Sequence, residues 1–297
     1  MNFMNVHKKA WALAAILLTV ILWGYSFVST KIILTELPPV TIAFFRQVIA
    51  ALVLVVLLLI KKWFVKMPLK DILLLSASSL FGIVLYFLFE NMGLKYTTAS
   101  NASIIVAAVP IFTLVTESLF YKFKITARVT VCVAVSVIGV VLVIFESGSL
   151  DFSNNSLKGN LLMICAMVVW VIYTIICKSF TNKYRGIVVT TYQMIAASIL
   201  FIPFIIHEIP QWNGLSAYSF ANLLYLALFC SALAYYLYSF SVKFLGATIS
   251  SMFLNLIPVV SIIGGVLVLR ESVSVLQISG MLLITLSLIF VRGKDPL

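Results

Sequence analysis

Long apolar runs, separated by short polar segments, occupy almost the whole chain. About 20 helical residues cross the ~30 Å hydrocarbon layer of a membrane, at about 1.5 Å per residue. The runs do not alternate with a period of two residues, so they predict helices and not barrel strands. Runs of the required length lie at residues 11–34, 38–60, 71–93, 98–120, 126–146, 158–179, 187–206, 219–241, 246–268 and 273–291.

Composition agrees with this pattern, because 63% of the residues are hydrophobic and only 10% are charged. A surface this apolar has to face lipid, where the backbone must satisfy its own hydrogen bonds. The sequence therefore predicts an all-α integral membrane protein with about ten transmembrane helices.

The net charge of +11 is distributed unevenly between the segments that connect the runs. If the N-terminus is cytoplasmic, 15 Lys and Arg residues lie on that side, 4 lie on the other, and Arg46 lies within a run. This bias predicts a multi-pass protein of the plasma membrane with both termini in the cytoplasm. Short basic loops between spans argue against nucleic acid as a partner and indicate contact with lipid headgroups.

Few residues could support catalysis or bind a metal. The chain has 4 cysteines without a CxxC pair and 2 histidines near the ends of runs. No glycine-rich nucleotide loop is present either, so we expect neither a cofactor nor an enzymatic function. A membrane enzyme acting on lipid would be expected to show a cluster of His, Asp or Cys, and it remains an alternative, as does a passive channel.

The two halves of the chain resemble each other weakly. A shift of about 147 or 148 residues aligns eight of the ten runs in pairs, including Leu80 and Phe81 with Leu228 and Phe229. The aligned pairs are Trp23 with Trp170, Lys31 with Lys178, Lys95 with Lys243, Ala99 with Ala247, Ser103 with Ser251, and Pro110 with Pro258. Arg46 falls on Gln193 under the same shift. The sequence thus predicts two repeats of five helices, at residues 1–150 and 151–297.

Five helices per repeat is an odd number, so the second repeat must cross the membrane in the opposite direction to the first. Inverted repeats are a recurrent plan of secondary transporters, whose substrate site lies near the midplane between the repeats. This architecture favours transport by alternating access, by analogy of fold.

Several motifs resemble EamA-type transporters of the drug/metabolite transporter superfamily. The resemblance covers residues 11–291, and it depends on the order of the motifs more than on any one of them. It is carried by residues 22–27 (LWGYSF), 38–46 (PPVTIAFFR), 231–236 (SALAYY), 243–247 (KFLGA) and 257–260 (IPVV), and by Glu271 with Gln277 and Gly280. Phe123 stands where the second repeat has Glu271, which is a departure near a helix end.

The resemblance implies ten helices in two inverted repeats and the export or exchange of small metabolites. Amino acids are frequent substrates of the family, and they are a candidate substrate here together with other amphipathic compounds.

Among the charged residues within predicted spans, Glu90 and Arg46 are the most informative. A charge at membrane depth is costly and normally faces a cavity or a partner. Glu90 could bind a cationic group or a coupling proton, and Arg46 could tune the pKa of Glu90 or meet a carboxylate. Alternatively, the two could form a structural ion pair between neighbouring helices.

Two prolines occupy equivalent positions in the fourth and ninth spans. Pro110 and Pro258 each lack an N–H and leave a carbonyl free one turn earlier. They could be hinges of a transporter, or static kinks that fit the packing.

A band of aromatic and polar residues accompanies these positions within the spans. Tyr and Trp supply an apolar wall with a polar tip, which suits an amphipathic metabolite, although they also anchor spans at the membrane interface. We expect the substrate to contact Trp23, Tyr25, Ser26, Tyr86, Asn91, Asn101, Trp170, Tyr173, Tyr235, Tyr238 and Asn255, with Arg46 and Glu90.

The sequence as a whole predicts a secondary transporter whose partners are a small-molecule substrate and the lipid bilayer. Protons are a candidate coupling ion. Because both repeats are present in one chain, a monomer or weak oligomer is sufficient for the pathway.

Overall fold

A computed structural model describes residues 3–109, 111–112, 115–116, 127–144, 155–178, 180, 183–212, 214–245, 250 and 253–291. These residues form helices and connecting segments, without a β-strand among them. The helices are α1 (Phe3–Ile33), α2 (Pro39–Ile60), α3 (Leu69–Tyr96), α4 (Ala99–Val106), α5 (Ala127–Ile144), α6 (Asn155–Lys178), α7 (Gly186–Leu200), α8 (Ala217–Leu245), α9 (Leu254–Leu269) and α10 (Val275–Val291). A helical turn (Ile202–Ile205) and a 3-10 turn (Ile209–Gln211) follow α7.

Six of the helices in the described part of the chain are long and apolar enough to cross a membrane: α1, α2, α3, α6, α7 and α8. Shorter apolar helices lie within α5, α9 and α10. Together with α4, these elements each overlap one of the ten predicted runs, within the part of the chain that the structure describes. The prediction of an all-α membrane protein with about ten helices is confirmed. The predicted boundary between the repeats, at residue 150, lies outside the described residues.

The helix ends follow from local sequence. Pro38 and Pro68 precede α2 and α3 in extended conformation, which suits the start of a helix because proline lacks an N–H donor. Both α3 and α8 extend beyond their predicted limits of 71–93 and 219–241. The C-terminal end of α3 is stabilised by Lys31 of α1, whose Nζ donates to the carbonyls of Leu94 and Thr97.

Helices α3 and α8 share an interruption. Each contains a π-helical segment, at Leu80–Leu85 in α3 and at Leu226–Leu233 in α8, with α-helix on both sides. The shift that aligns the repeats places Leu80 within the second segment, so the two interruptions are repeat equivalents. Isolated π segments inside α-helices are uncommon and occur frequently at functional sites.

Contacts between the repeats hold the bundle together. Helix α3 packs on α6 and α7, and α8 packs on α1 and α2, so each interrupted helix lies against the opposite repeat. Helices α5 and α10, the last of each repeat, also pack on each other. There a Cβ atom at Gly139 would lie 2.8 Å from the carbonyl oxygen of Gly280, so only glycine permits this approach.

The two ends of the bundle differ in the charges they present. We call one end the acidic end, because it holds Glu36, Glu208 and Glu271 in the connections that follow α1, α7 and α9. The opposite end, named here the basic end, holds Lys61 and Lys183 in the connections that follow α2 and α6. Large apolar side chains between the two ends point outward; for example, Leu52 and Leu59 are 62% and 61% exposed, as expected of a lipid-facing surface.

Candidate functional site

A cavity lies between the two repeats, at the level of the π segments. Its empty volume of about 590 Å³, which includes the space at its mouth, falls in the range typical of small-molecule sites. Helices α1 to α4 and α6, α8 and α9 contribute side chains, so both repeats form its wall. It is lined by Trp23, Ser26, Phe27, Arg46, Tyr86, Phe87, Glu90, Val106, Ala107, Val109, Trp170, Tyr235, Leu254, Asn255 and Ile257.

Four aromatic rings form a continuous wall of this cavity. Trp170 lies at the centre, with ring centroids 5.0 Å from Tyr86, 6.2 Å from Trp23 and 6.3 Å from Tyr235. Trp23 and Tyr235 are also in edge contact, at 5.4 Å. Two of the rings come from each repeat, and such a wall offers a large apolar surface of fixed shape to a ligand.

Trp23 is held in place by the neighbouring interrupted helix. Its indole Nε1 donates to the carbonyl of Cys230, within the π segment of α8, at 3.0 Å. The next residue, Gly24, explains why α9 can approach α1 here, because a Cβ atom at Gly24 would lie 2.5 Å from Cβ of Val260. The predicted motif at residues 22–27 thus combines a cavity residue with a packing glycine.

Arg46 is 2% exposed and links the two repeats. Its Nε donates to Oγ of Ser231 in the π segment of α8 at 2.8 Å, and its guanidinium lies 4.1 Å from the ring centroid of Phe87. Both contacts leave the charge of the guanidinium without a carboxylate, since neither a hydroxyl nor a ring neutralises it.

Glu90 is 5% exposed and lines the same cavity. Its carboxylate accepts a hydrogen bond from the hydroxyl of Tyr86, one turn earlier in α3, at 3.3 Å. Among the described residues the structure contains one ion pair, between Lys183 and Asp71 at the basic end, so Glu90 and Arg46 are not paired with each other. A direct ion pair between these two helices, the alternative role for the two residues, is therefore not formed in the structure.

Asn255 adds an unused acceptor. The residue is 7% exposed, lines the cavity, and its Oδ1 has no hydrogen-bond partner. It lies in a 3-10 turn (Leu254–Leu256) that changes to α-helix at Ile257, immediately before the buried Pro258. Proline cannot donate to the helix ladder, which accounts for the change in helix type at this point. Pro110, its repeat equivalent, lies outside the described residues.

The structure brings eight of the thirteen predicted contact residues to the cavity: Trp23, Ser26, Arg46, Tyr86, Glu90, Trp170, Tyr235 and Asn255. Tyr173 and Tyr238 contact this wall without lining the cavity, with ring centroids 4.9 Å from Trp170 and 5.4 Å from Trp23 respectively.

The other three predicted residues do not line the cavity. The ring of Tyr25 packs against Tyr225, 5.6 Å away. Asn91 donates from Nδ2 to the carbonyl of Pro39, and Asn101 accepts from Nε2 of Gln277 at 2.7 Å. The two asparagine side chains join helices to one another, which is a common role of polar residues within a membrane bundle.

Some residues at the site were missed by sequence reasoning. Ser231, which binds Arg46, and the apolar residues Phe27, Phe87 and Val106 carry no distinguishing chemistry in a chain this rich in Ser and apolar residues. Ser231 does stand within the SALAYY motif, which is the signal that could have identified it.

Polar contacts close both ends of the bundle. At the acidic end, Glu208 accepts from the backbone N–H groups of Val40 and Thr41, and Glu271 accepts from those of Ala99 and Ser100. Carboxylates at helix N-termini satisfy free N–H groups and interact favourably with the helix dipole.

A third carboxylate of the acidic end, that of Glu36, binds the start of α8. It accepts from the backbone N–H of Ser216 and from the hydroxyls of Ser216 and Ser219, each at 2.7 Å. These bonds hold the pKa of the Glu36 carboxyl below its ordinary value, and the Ser216 amide contributes most.

At the basic end, Asp71 at the start of α3 accepts from Nζ of Lys183 at 2.5 Å and from the hydroxyl of Tyr184. The hydrogen bond to Asp71 raises the pKa of Lys183.

Comparison with known proteins places this architecture in a family. Residues 10–145 and 157–293 each match the model of the EamA-like transporter family. Two proteins of Archaeoglobus fulgidus, each described as an uncharacterized transporter, are 29% and 30% identical to the chain. The alignments cover 96% of this chain and 99% of the first relative, and 86% of this chain and 88% of the second.

The uncharacterized transporter YetK of Bacillus subtilis is 26% identical, over 90% of this chain and 82% of that protein. A solved crystal structure matches with a TM-score of 0.69, over 96% of this chain and 98% of that one. Its 16% sequence identity means that this likeness shows the fold alone. Two matched copies of the family model span nearly the whole sequence, and the relatives carry transporter names. The chain is therefore a multi-pass membrane transporter that belongs to the EamA-like transporter family.

Proposed function

We propose that this protein is a secondary transporter that exports or exchanges a small amphipathic metabolite by alternating access, and that amino acids are the first substrate class to test. The observation that carries the proposal is the pair of buried opposite charges, Arg46 and Glu90, which face one aromatic-walled cavity without pairing with each other. Intramembrane charges normally pair or face a substrate pathway, and these two lack a mutual pair.

The chemistry of the cavity fits a molecule that carries both charges. A carboxylate of the substrate would bind the guanidinium of Arg46 in a charge-assisted hydrogen bond, and an ammonium group would bind Glu90. The free Oδ1 of Asn255 supplies one further acceptor for an N–H or O–H group. The wall of Trp23, Tyr86, Trp170 and Tyr235 would hold the apolar part of the substrate.

We propose further that the basic end faces the cytoplasm, so that both termini are cytoplasmic in a plasma-membrane protein. Protons are the candidate coupling ion, because Glu90 could carry one in place of the substrate's cationic group. A monomer is sufficient, since both repeats contribute to a single cavity.

Two alternatives remain in competition with transport by alternating access. An enzyme acting on lipid would need reactive side chains around the cavity, and the described residues hold no group of three or more His, Cys, Asp or Glu that could bind a metal ion. A passive channel would conduct ions at high rates, which currents across planar bilayers would detect.

The direct test is efflux from proteoliposomes that hold the purified protein and a mixture of metabolites, with and without a pH gradient. We expect mass spectrometry to record selective loss of one chemical class relative to empty liposomes. Release of all small solutes alike would favour a channel. Retention of every solute by folded protein would contradict the proposal.

The corresponding variant is Glu90→Gln, which keeps the shape of the side chain and removes its charge. We expect a large loss of transport, together with loss of any response to the pH gradient. Lys95→Gln is the matched control, because it also removes a charge from α3 but from an exposed position near the end of the helix. Normal rate and normal pH dependence of Glu90→Gln would remove this residue from the mechanism.

A further inference from the structure

Helices α3 and α8 carry two features in the same order, a contact with the opposite repeat at the N-terminal end and a π segment in the middle. We propose that the first half of each helix is a gate that swings about its π segment. The first half of α3, Leu69–Ser79, would close the cavity toward the basic end, and the first half of α8, Ala217–Tyr225, would close it toward the acidic end. This inference rests on the proposed transport function and adds the moving parts to it.

The π segments supply the hinges. A π segment departs from the i to i−4 bonding of the α-helix, and sharp bends in helices occur at such places. In both helices the interruption lies beside the cavity, since Tyr86 directly follows Leu80–Leu85 and Tyr235 follows Leu226–Leu233 by two residues. The halves before the interruption lie on the opposite repeat, with Leu69–Ser79 packed on α6 and α7, and Ala217–Tyr225 packed on α1 and α2.

The latch at the basic end holds the first half of α3. It consists of Asp71, two residues into the helix, and of Lys183 and Tyr184 in the connection between α6 and α7. The Lys183 side chain is 53% exposed, so water can replace this contact readily when the gate opens.

The latch at the acidic end holds the first half of α8. It consists of Glu36, in the connection between α1 and α2, and of Ser216 and Ser219 at the start of the helix. Three hydrogen bonds to one carboxylate hold the N-terminus of α8 against the first repeat.

The two latches are repeat equivalents that lie at opposite ends of the bundle. The shift that aligns the repeats places Glu36 on Lys183, and Asp71 on Ser219. In each case the connection after the first helix of one repeat binds the start of the third helix of the other repeat. Inverted repeats produce this arrangement, because the same contact recurs on the two sides of the membrane.

The charged cavity residues are attached to the hinges. Arg46 binds Ser231, which lies inside the π segment of α8, and Glu90 lies one turn beyond Tyr86, which directly follows the π segment of α3. A substrate that drew Arg46 away from Ser231 would act on the hinge of α8. Binding in the cavity can therefore influence the gates without contact at the latches.

The test measures access to the cavity from each side, in sealed vesicles whose orientation is determined with a cleavable N-terminal tag. Ala107, a cavity residue, is replaced by cysteine in a background without the natural cysteines. A membrane-impermeant maleimide is then added on one side at a time. The labelling rate can be measured without transport, so the gate proposal can fail independently of the proposed function.

We expect Asp71→Asn to raise the rate of labelling from the basic end by at least several fold, and Glu36→Gln to do the same from the acidic end. Each variant should leave labelling from the other side unchanged or reduced. Lys95→Gln, at the acidic end but outside both latches, is the control and should label like the parent protein. Equal labelling of all variants from both sides, or opening of both sides by one variant, would overturn the proposal.

Cross-linking holds the gates closed, whereas the substitutions open them. Its result does not depend on variants that weaken the fold. Cysteine pairs at positions 36 and 219, or at 71 and 183, are joined by a short bis-methanethiosulfonate linker. We expect the first link to block labelling from the acidic end only, the second to block it from the basic end only, and a reducing agent to restore both. Labelling that is indifferent to both links would contradict the gates.

Discussion

The two repeats agree in their geometry and differ in the charges that they bring to the cavity. Arg46 and Glu90 both belong to the first repeat, and their equivalents in the second are Gln193 and Tyr238. Gln193 donates from Nε2 to Oγ of Ser78 at 2.9 Å, and Tyr238 packs against Trp23 without lining the cavity. The second repeat supplies neutral walls where the first supplies charge.

The comparison indicates that the two repeats keep the same helix architecture while their polar residues diverge. Both repeats keep the interrupted third helix and the contact from the connection after their first helix. The residues of those contacts have changed, with a carboxylate that binds serines at one end and an ion pair at the other. Under the proposed mechanism, backbone geometry has to match between the repeats for the two ends to open in turn, whereas one substrate would need only one set of charged groups.

The largest expected effect comes from Arg46→Gln, which gives the first repeat the residue that the second has. We expect the KM for a substrate with an anionic group to rise about tenfold or more, since a hydrogen bond to a charged group contributes about 1.5–3 kcal/mol and tenfold corresponds to about 1.4 kcal/mol. The measurement is concentration-dependent uptake into proteoliposomes. Arg185→Gln, which removes an arginine that stacks on Trp63 at the basic end, is the control. An unchanged KM would show that the charge asymmetry has no role in binding.

A second prediction compares the π segments. A Cβ atom at Gly82 in α3 would lie 2.1 Å from the ring of Tyr173, whereas Phe229, within the π segment of α8, is 45% exposed. We expect Gly82→Ala to destabilise the protein by about 1–3 kcal/mol through overpacking, and Phe229→Ala to have little effect. Thermal unfolding in detergent, followed by size-exclusion chromatography, measures both. Similar melting temperatures for the two variants would mean that α3 can move away from Tyr173 at low cost.

The smallest expected effect is the response of the acidic-end latch to low pH. The pKa of Glu36 is lower in the folded state than in the unfolded chain. The ionised carboxylate therefore stabilises the acidic-end latch fully above the unfolded pKa of about 4.3, and this stabilisation is lost as the pH falls through the folded-state pKa. Acidification of the medium at the acidic end should therefore leave labelling of the cavity cysteine unchanged down to about pH 5 and raise it below about pH 4.

The basic-end latch also depends on a carboxylate, that of Asp71, and differs from the acidic-end latch in that this carboxylate is paired with a cation. The raised pKa of Lys183 keeps that ammonium charged below about pH 10.4, so its charge is lost only at alkaline pH. Glu36→Gln should abolish the acid response from the acidic end, and persistence of the response in this variant would assign it to another group.

Sequence reasoning found the helices because a membrane span needs a fixed length of apolar residues, and ten such runs are visible without any tertiary information. It also found Arg46 and Glu90, since a charge within an apolar run stands out. Tyr25 and Tyr235 could not be told apart in the same way. Both are tyrosines within spans, yet one packs against Tyr225 and the other faces the cavity, and the direction of each side chain depends on helix packing.

The sequence by itself determined the class of fold, the number of helices and the presence of two repeats. Membrane spans are visible as long apolar runs, and the duplication is visible as similar residues at a constant spacing. Only the tertiary structure decided that Arg46 binds Ser231 and not Glu90, that the π segments lie beside the cavity, and that Glu36 and Lys183 hold opposite ends of the bundle. These contacts join residues more than a hundred positions apart, and their partners are ordinary serines and carboxylates. Such pairings depend on how ten helices pack together, which no local pattern in the chain specifies.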